Sequence, residues 1–70
     1  MKKEQLTHFV NYPVDIRIIG RKKEYHGIVK GFDTALDMLR GEIDIILLKQ
    51  RKRTLIIPIG RIQEINFEKC

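Results

Sequence analysis

The chain has 70 residues, with 14 lysines and arginines against 9 acidic residues, so its formal net charge is +5. A chain this short forms one domain, here residues 1–70, and buries only about 60% of its unfolded surface. The longest apolar run, residues 45–48, is too short to cross a bilayer, and the lone cysteine, Cys70, excludes an internal disulfide framework. We therefore expect a cytoplasmic protein with no membrane partner.

The basic composition is the first indication of a partner. The sequence pI is about 9.7, and such a balance on a small domain favours an anionic partner, with nucleic acid ahead of a membrane surface. The alternative is that the lysines and arginines only keep the protein soluble, because net charge governs association and not the fold.

Residues 1–11 are predicted to form a short helix. Leu6, Phe9 and Val10 recur at helical spacing, and Pro13 ends any helix that precedes it. Such a helix has only about three turns, so it depends on packing against the rest of the protein.

Residues 14–33 are predicted to form two strands and the turn between them. Residues 14–18 alternate apolar and polar side chains, which is typical of a half-buried strand, and residues 20–23 combine a glycine with three charges. The second strand ends at Asp33 and contains Gly27 and Gly31. Glycines inside a strand indicate a sharp bend or a close backbone approach, so this strand is expected to curve as in a small barrel.

Residues 34–42 allow two interpretations. They form either a helical turn with Leu36 and Leu39 on one side, or a third strand interrupted at Gly41. The next segment, residues 43–49, is a strand in which only Asp44 breaks the apolar character.

The last third of the chain is predicted to contain a hairpin, a corner and a final strand. Residues 50–53 form a charged turn, and residues 54–59 form the returning strand. Pro58 lacks an amide donor and therefore belongs at the end of that strand or at a sheet edge. Residues 60–61 form the corner and residues 62–67 the last strand.

The whole pattern predicts an all-β fold: a small bent five-stranded barrel of the SH3-like or Sm-like kind, with a short N-terminal helix and strands across residues 14–67. Four apolar residues exceed what a closed barrel of this size can hide, namely Ile46, Leu48, Ile56 and Phe67. Surplus apolar strand surface favours pairing between copies, so we expect a homo-oligomer.

Two motifs carry a resemblance to a known family. L-x-x-F-V-N at residues 6–11 precedes V-x-I-x-I-x-G-R-x-x-x-Y-x-G-x-V-x-G-F-D at residues 14–33. These motifs resemble the Sm-like family, which includes the LSm and Hfq proteins. The resemblance implies an N-terminal helix on a bent five-stranded barrel, a ring assembled through the last two strands, and single-stranded RNA bound around the pore.

The positions that contact RNA in that family differ here. Ala35 occupies the position where the family has an aromatic residue or histidine that stacks on a base, and Asp37 replaces the base-reading asparagine. A carboxylate cannot donate a hydrogen bond and repels phosphate. The family's second motif falls near residues 58–60, where Arg61 is the nearest cation.

The predicted RNA contacts are the two basic turns and the positions that match the family motifs. They are Arg21, Lys22, Lys23, Asp37, Lys49, Arg51, Lys52, Arg53, Gly60 and Arg61. Lysine and arginine clusters provide most of the sequence-independent affinity for nucleic acid. The alternative is that both turns are solvated loop tips, and no aromatic residue stands beside either cluster to stack on bases.

No arrangement of residues predicts catalysis, a metal site or a cofactor. His8 and His26 lack cysteine or carboxylate partners at ligand spacing, and Asp33 suits the capping of a turn. We therefore expect a non-enzyme that binds single-stranded RNA, with DNA as the second choice of nucleic acid. The alternative is an SH3-like protein-interaction or scaffolding module that has no nucleic-acid site.

Overall fold

The computed structural model describes residues 2–68, which form one antiparallel sheet and three short 3₁₀ turns. The strands are β1 (Pro13–Ile18), β2 (Glu24–Asp37), β3 (Gly41–Lys49), β4 (Thr54–Pro58) and β5 (Ile62–Phe67). The turns are Lys3–Gln5, Thr7–Phe9 and Ile59–Arg61. The strand order is β4-β3-β2-β1-β5. An all-β fold with five strands is therefore confirmed.

The two glycines of the long strand β2 mark a close backbone approach and an irregularity in its register. A Cβ at Gly27 would lie 2.7 Å from the Lys49 carbonyl oxygen, so only glycine allows β3 to approach this closely. Gly31 has a φ of +152° and lies where the pairing of β2 with β3 shifts register, just after Val29. This irregularity is a β-bulge, which increases the local twist and curves the strand.

Residues 34–42 form the end of β2, a turn and the start of β3, so the helical interpretation is wrong, and these residues are also not a separate third strand interrupted at Gly41. β2 continues to Asp37, and β3 begins at Gly41. Ala35 pairs with Ile43, and Asp37 with Gly41. Pairing with β3 gives these backbone groups regular partners, which a single helical turn would leave largely unsatisfied.

The predicted N-terminal helix does not form. Residues 2–11 instead contain two 3₁₀ turns, in which the Phe9 amide donates to the Leu6 carbonyl (3.0 Å). The reason lies in the next residues: Val10 is extended and bridges Val29 of β2, while the Asn11 amide donates to the Val29 carbonyl. A helix cannot continue into a segment that β2 holds extended.

The sheet does not close into the predicted barrel. Within residues 2–68, β4 and β5 form its two edges and do not pair with each other. Pro58, which lacks an amide donor, ends β4, and the 3₁₀ turn Ile59–Arg61 redirects the chain so that β5 joins β1. The strands are curved, but the sheet keeps two open edges.

The concave side of the sheet and the N-terminal turns form one apolar core. Leu6 and Phe9 are buried in it with side chains from all five strands. Ile46 and Leu48, predicted to be surplus, are fully buried, whereas Ile56 and Phe67 are exposed. No helix within residues 2–68 is long and apolar enough to span a membrane.

Candidate nucleic-acid interface

Three connections between strands converge on one open pocket of about 360 Å³. Each connection contributes an arginine: Arg21 follows β1, Arg40 lies between β2 and β3, and Arg61 lies between β4 and β5. The Ile19 amide donates to the Arg61 carbonyl (2.9 Å), and this bond ties two of the connections together. The three connections thus bring together arginines that are far apart in the sequence.

The three arginines are exposed, and their charges are available to a ligand. Within residues 2–68, none of their guanidinium groups forms a salt bridge. The rest of the pocket wall is apolar apart from Tyr25 and Asp37, with Ile43 and Ile57 among the lining residues. A cationic rim around an apolar wall suits a ligand that has both anionic groups and flat apolar surfaces.

Tyr25 brings an aromatic ring to the first basic turn. The Arg21 guanidinium donates to the Tyr25 hydroxyl (3.4 Å), and the Lys23 ammonium lies 5.7 Å from the ring centroid. The side chain of Tyr25 is half-buried and lines the pocket. The expectation that no aromatic residue stands beside a basic cluster is therefore wrong for this turn.

Asp37 shapes the turn that carries Arg40. Its Oδ1 accepts hydrogen bonds from the amides of Leu39 (2.8 Å) and Arg40 (3.2 Å). The pKa of the Asp37 carboxyl lies below its usual value, mainly because of the hydrogen bond from the Leu39 amide. The hydrogen bond from the Arg40 amide and the charges of Arg40 and Arg61 lower this pKa further. Asp37 stays ionised at neutral pH and partly offsets the positive charge of the pocket.

The predicted site residues divide into two groups. Arg21, Asp37 and Arg61 line the pocket, and Gly60 adjoins it, because a Cβ there would lie 3.7 Å from an Arg40 guanidinium nitrogen. Lys22 and Lys23 occupy the turn next to Arg21 and do not line the pocket. Their predicted contact with RNA stays a prediction.

The second basic turn lies apart from the pocket. Lys49 ends β3, and Arg51, Lys52 and Arg53 follow it in an exposed turn, none of them in the pocket wall. This turn is fastened to β2 through Gln50, whose amide donates to the His26 carbonyl (3.0 Å). The two basic turns therefore do not share one pocket.

Sequence reasoning missed Arg40 and Tyr25. Arg40 stands in the segment whose secondary structure was ambiguous, so nothing indicated which way its turn points. Tyr25 stands at the start of β2, two residues after Lys23 and four after Arg21, and its nearness to the basic turn in the sequence was a usable signal.

Comparisons of the chain with protein-family models, with curated proteins and with solved structures find no match.

Proposed function

We propose that the protein binds single-stranded RNA, with DNA as the second choice of nucleic acid, in the pocket lined by Arg21, Arg40 and Arg61. The observation that carries this proposal is the convergence, in one pocket with the Tyr25 ring, of three guanidinium groups that form no salt bridge within residues 2–68. Arginine forks bind phosphate oxygens bidentately, and an aromatic ring beside them provides a surface on which a base stacks.

The basic turn of residues 49–53 adds a second, longer-range contribution. It is exposed, and the protein as a whole carries a net charge of +5. Exposed cations attract the phosphate backbone without reading its sequence and increase the rate of association. We therefore assign nucleotide contacts to the pocket and general electrostatic attraction to this turn.

Membership of the Sm-like family is part of the proposal. The support consists of the motifs at residues 6–11 and 14–33, the bent β2 and the five antiparallel strands. We also propose that the RNA is bound in the cytoplasm, because a chain with a single cysteine suits a reducing compartment.

We further propose that the protein forms a ring-like homo-oligomer through its sheet edges. Unpaired edge strands are templates for pairing with another chain, and here β4 and β5 carry the exposed apolar residues Ile56 and Phe67. Pairing of β4 with β5 of the next copy is heterologous and closes into a ring when the rotation permits. Light scattering after size exclusion should show several subunits, and a monomer at tens of micromolar contradicts this.

One observation favours the alternative function, a protein-interaction module. The tip of the β2–β3 hairpin exposes Leu36, Met38 and Leu39 almost completely, with Met38 at 101% exposure. Exposing an apolar cluster on a turn to water is energetically unfavourable, and such a cluster is typical of a protein–protein contact. Under this alternative, the hairpin tip binds an apolar surface of a partner protein, and the arginines only orient that partner.

Fluorescence anisotropy with a labelled single-stranded RNA distinguishes the two functions. The test variant is R21Q/R40Q/R61Q, and K49Q/R51Q/R53Q is the matched control with the same loss of charge outside the pocket. If the pocket holds the RNA, the test variant loses much more affinity than the control at the same salt concentration.

The salt dependence provides a second readout. Four to six phosphate contacts imply a slope of log K against log salt of about −3 to −4. Equal losses in both variants contradict a pocket site. No binding by the unmodified protein even at low salt assigns the protein to the interaction class.

A further inference from the structure

Three side chains with metal-binding groups meet on the face of the sheet that points away from the core. Asp15 of β1 lies directly opposite His26 of β2, and directly opposite residues of paired strands share a face. Glu68 follows β5, and its amide donates to the Pro13 carbonyl (2.9 Å), which holds it beside the start of β1. Three neighbouring strands thus position one imidazole and two carboxylates.

The distances suit a single ion. One ligand atom from each of Asp15, His26 and Glu68 lies within 4.8 Å of the other two, and His26 Nδ1 already contacts Asp15 Oδ1. Ligands about 2.0–2.2 Å from a first-row ion stand at most about 4.4 Å apart. Small rotations of the exposed Glu68 and His26 side chains therefore bring all three groups around one centre.

The charge around this cluster also favours a cation. Arg17 of β1 pairs with Glu24 of β2 on one side and with Glu64 of β5 on the other, on the same face as Asp15 and His26. Arg17 is the one cation in the register pairs that join these three strands on this face. Asn66 stands opposite Asp15 and donates to Glu64 (2.6 Å). Across these register pairs and Glu68, four carboxylates stand against one arginine, and the basic turn of residues 49–53 adjoins the cluster through Gln50 and the His26 carbonyl.

We propose that Asp15, His26 and Glu68 bind a divalent first-row transition-metal ion such as Zn²⁺. A mixed set of one imidazole and two carboxylates suits zinc and its neighbours, whereas Mg²⁺ and Ca²⁺ prefer oxygen ligands alone. The ion joins the end of β5 to β1 and β2. A small domain with a limited core gains stability from such a link.

The backbone of His26 is already held in place for this role. Its carbonyl accepts the hydrogen bond from the Gln50 side chain (3.0 Å), so the β3–β4 turn fixes this part of β2. The sequence alone predicted no metal site because the three ligands are distant in the chain and no short ligand motif joins them.

Isothermal titration of the full, chelator-treated chain with Zn²⁺ tests the proposal. We expect one ion per chain with micromolar affinity, and we expect D15N, H26N and E68Q each to weaken binding by about tenfold or more. E64Q is the matched control: it removes the same charge from the same face, and its affinity should stay within about threefold of the unmodified protein. The C70S variant removes the only thiol and should bind as tightly as the unmodified chain.

A second measurement, NMR of the histidine side chains, locates the bound ion. All variants are compared only if their circular dichroism spectrum matches that of the unmodified protein. Zn²⁺ that coordinates the imidazole of His26 should shift the NMR signals of that ring and leave those of His8 in place. Equal losses in E64Q and E68Q, loss of binding in C70S, equal shifts of both histidines, or no heat with Zn²⁺ each overturn the proposal.

Discussion

Asp15 and His26 face each other across β1 and β2 and share a hydrogen bond between Oδ1 and Nδ1. That bond is the main reason why the pKa of His26 is raised above its usual value, and the charges of Asp15, Glu24 and Glu68 raise it further. Both side chains lie on the solvent side of the sheet, with His26 60% exposed. The pair joins two central strands at their surface.

The pair predicts how protonation of His26 depends on its neighbour. In metal-free protein, D15N should lower the pKa of His26 towards its ordinary value, because the acceptor of the hydrogen bond loses its charge. NMR titration of the imidazole signals measures this directly. E64Q, whose carboxylate does not contribute to the shift, should leave the pKa of His26 unchanged, and an equal fall in both variants contradicts the assignment.

The same pair predicts the sign of one contribution to stability. A pKa that is higher in the folded than in the unfolded chain makes the protonated pair stabilising, and this stabilisation is complete below the unfolded pKa. It is lost as the pH rises through the folded pKa. Urea midpoints of the unmodified protein should therefore fall more than those of D15N across that interval, and a difference of opposite sign contradicts the pairing.

Gly27 should be the least replaceable glycine of the sheet. In G27A the new methyl meets the Lys49 carbonyl oxygen at 2.7 Å and Leu48 Cγ at 2.9 Å, so β3 must shift, at a cost of about 1–3 kcal/mol. Denaturant unfolding measures the change. G60A is the control, because its methyl finds only an ordinary contact at 3.7 Å, and equal losses in both variants contradict the close approach.

The basic turn after β3 should contribute little to stability. Replacing Lys49, Arg51, Lys52 and Arg53 by glutamine alters exposed side chains, and each change should move the free energy of unfolding by less than about 0.5 kcal/mol. Thermal unfolding monitored by circular dichroism measures this. A large fall in Tm means that the turn packs against another part of the protein.

Tyr25 should contribute to RNA affinity through its ring. Y25L should weaken binding of a single-stranded RNA by about 1–3 kcal/mol if a base stacks there, which is roughly 5- to 150-fold. Y25F keeps the ring and loses only the hydroxyl that Arg21 contacts, so it should retain most of the affinity. Anisotropy titrations give both values, and identical losses in Y25F and Y25L assign the effect to the hydroxyl.

Base preference should be weak even with this ring. Every base has a face that stacks, so a tyrosine platform tolerates all of them, and Ala35 adds no second ring. Uridine-rich and adenine-rich oligomers should therefore bind with similar affinities in the same titrations. A strong preference for one of them indicates hydrogen bonds to base edges that the pocket described here does not account for.

The sequence by itself determined the strands. Alternation at residues 14–18 specifies a strand, because a period of two places one of its faces in the core. The apolar run of residues 43–49 and the final strand Ile62–Phe67 were also predicted, although neither has a strict period of two. Gly27 and Gly31 indicated a bend or a close backbone approach in β2, because the lack of a side chain is a local property that the sequence shows directly. The two basic turns were equally visible.

Tertiary structure alone decided how these parts meet. The N-terminal segment has helical spacing, yet its bridge to Val29 keeps Val10 extended. The pairing with a distant strand therefore outweighs the local preference of this segment for a helix. The sheet stays open because the chain turns after Pro58 and β5 pairs with β1.

Both candidate sites depend on contacts between distant residues. Arg21, Arg40 and Arg61 meet only because three connections between strands lie together, and Asp15 meets His26 only through the register of β1 and β2. The spacing of these residues along the chain does not predict such contacts, because the register of paired strands depends on which of their faces are buried together. The charges were present in the sequence, but their grouping into an arginine pocket and a cluster of one histidine and two carboxylates arises from the sheet.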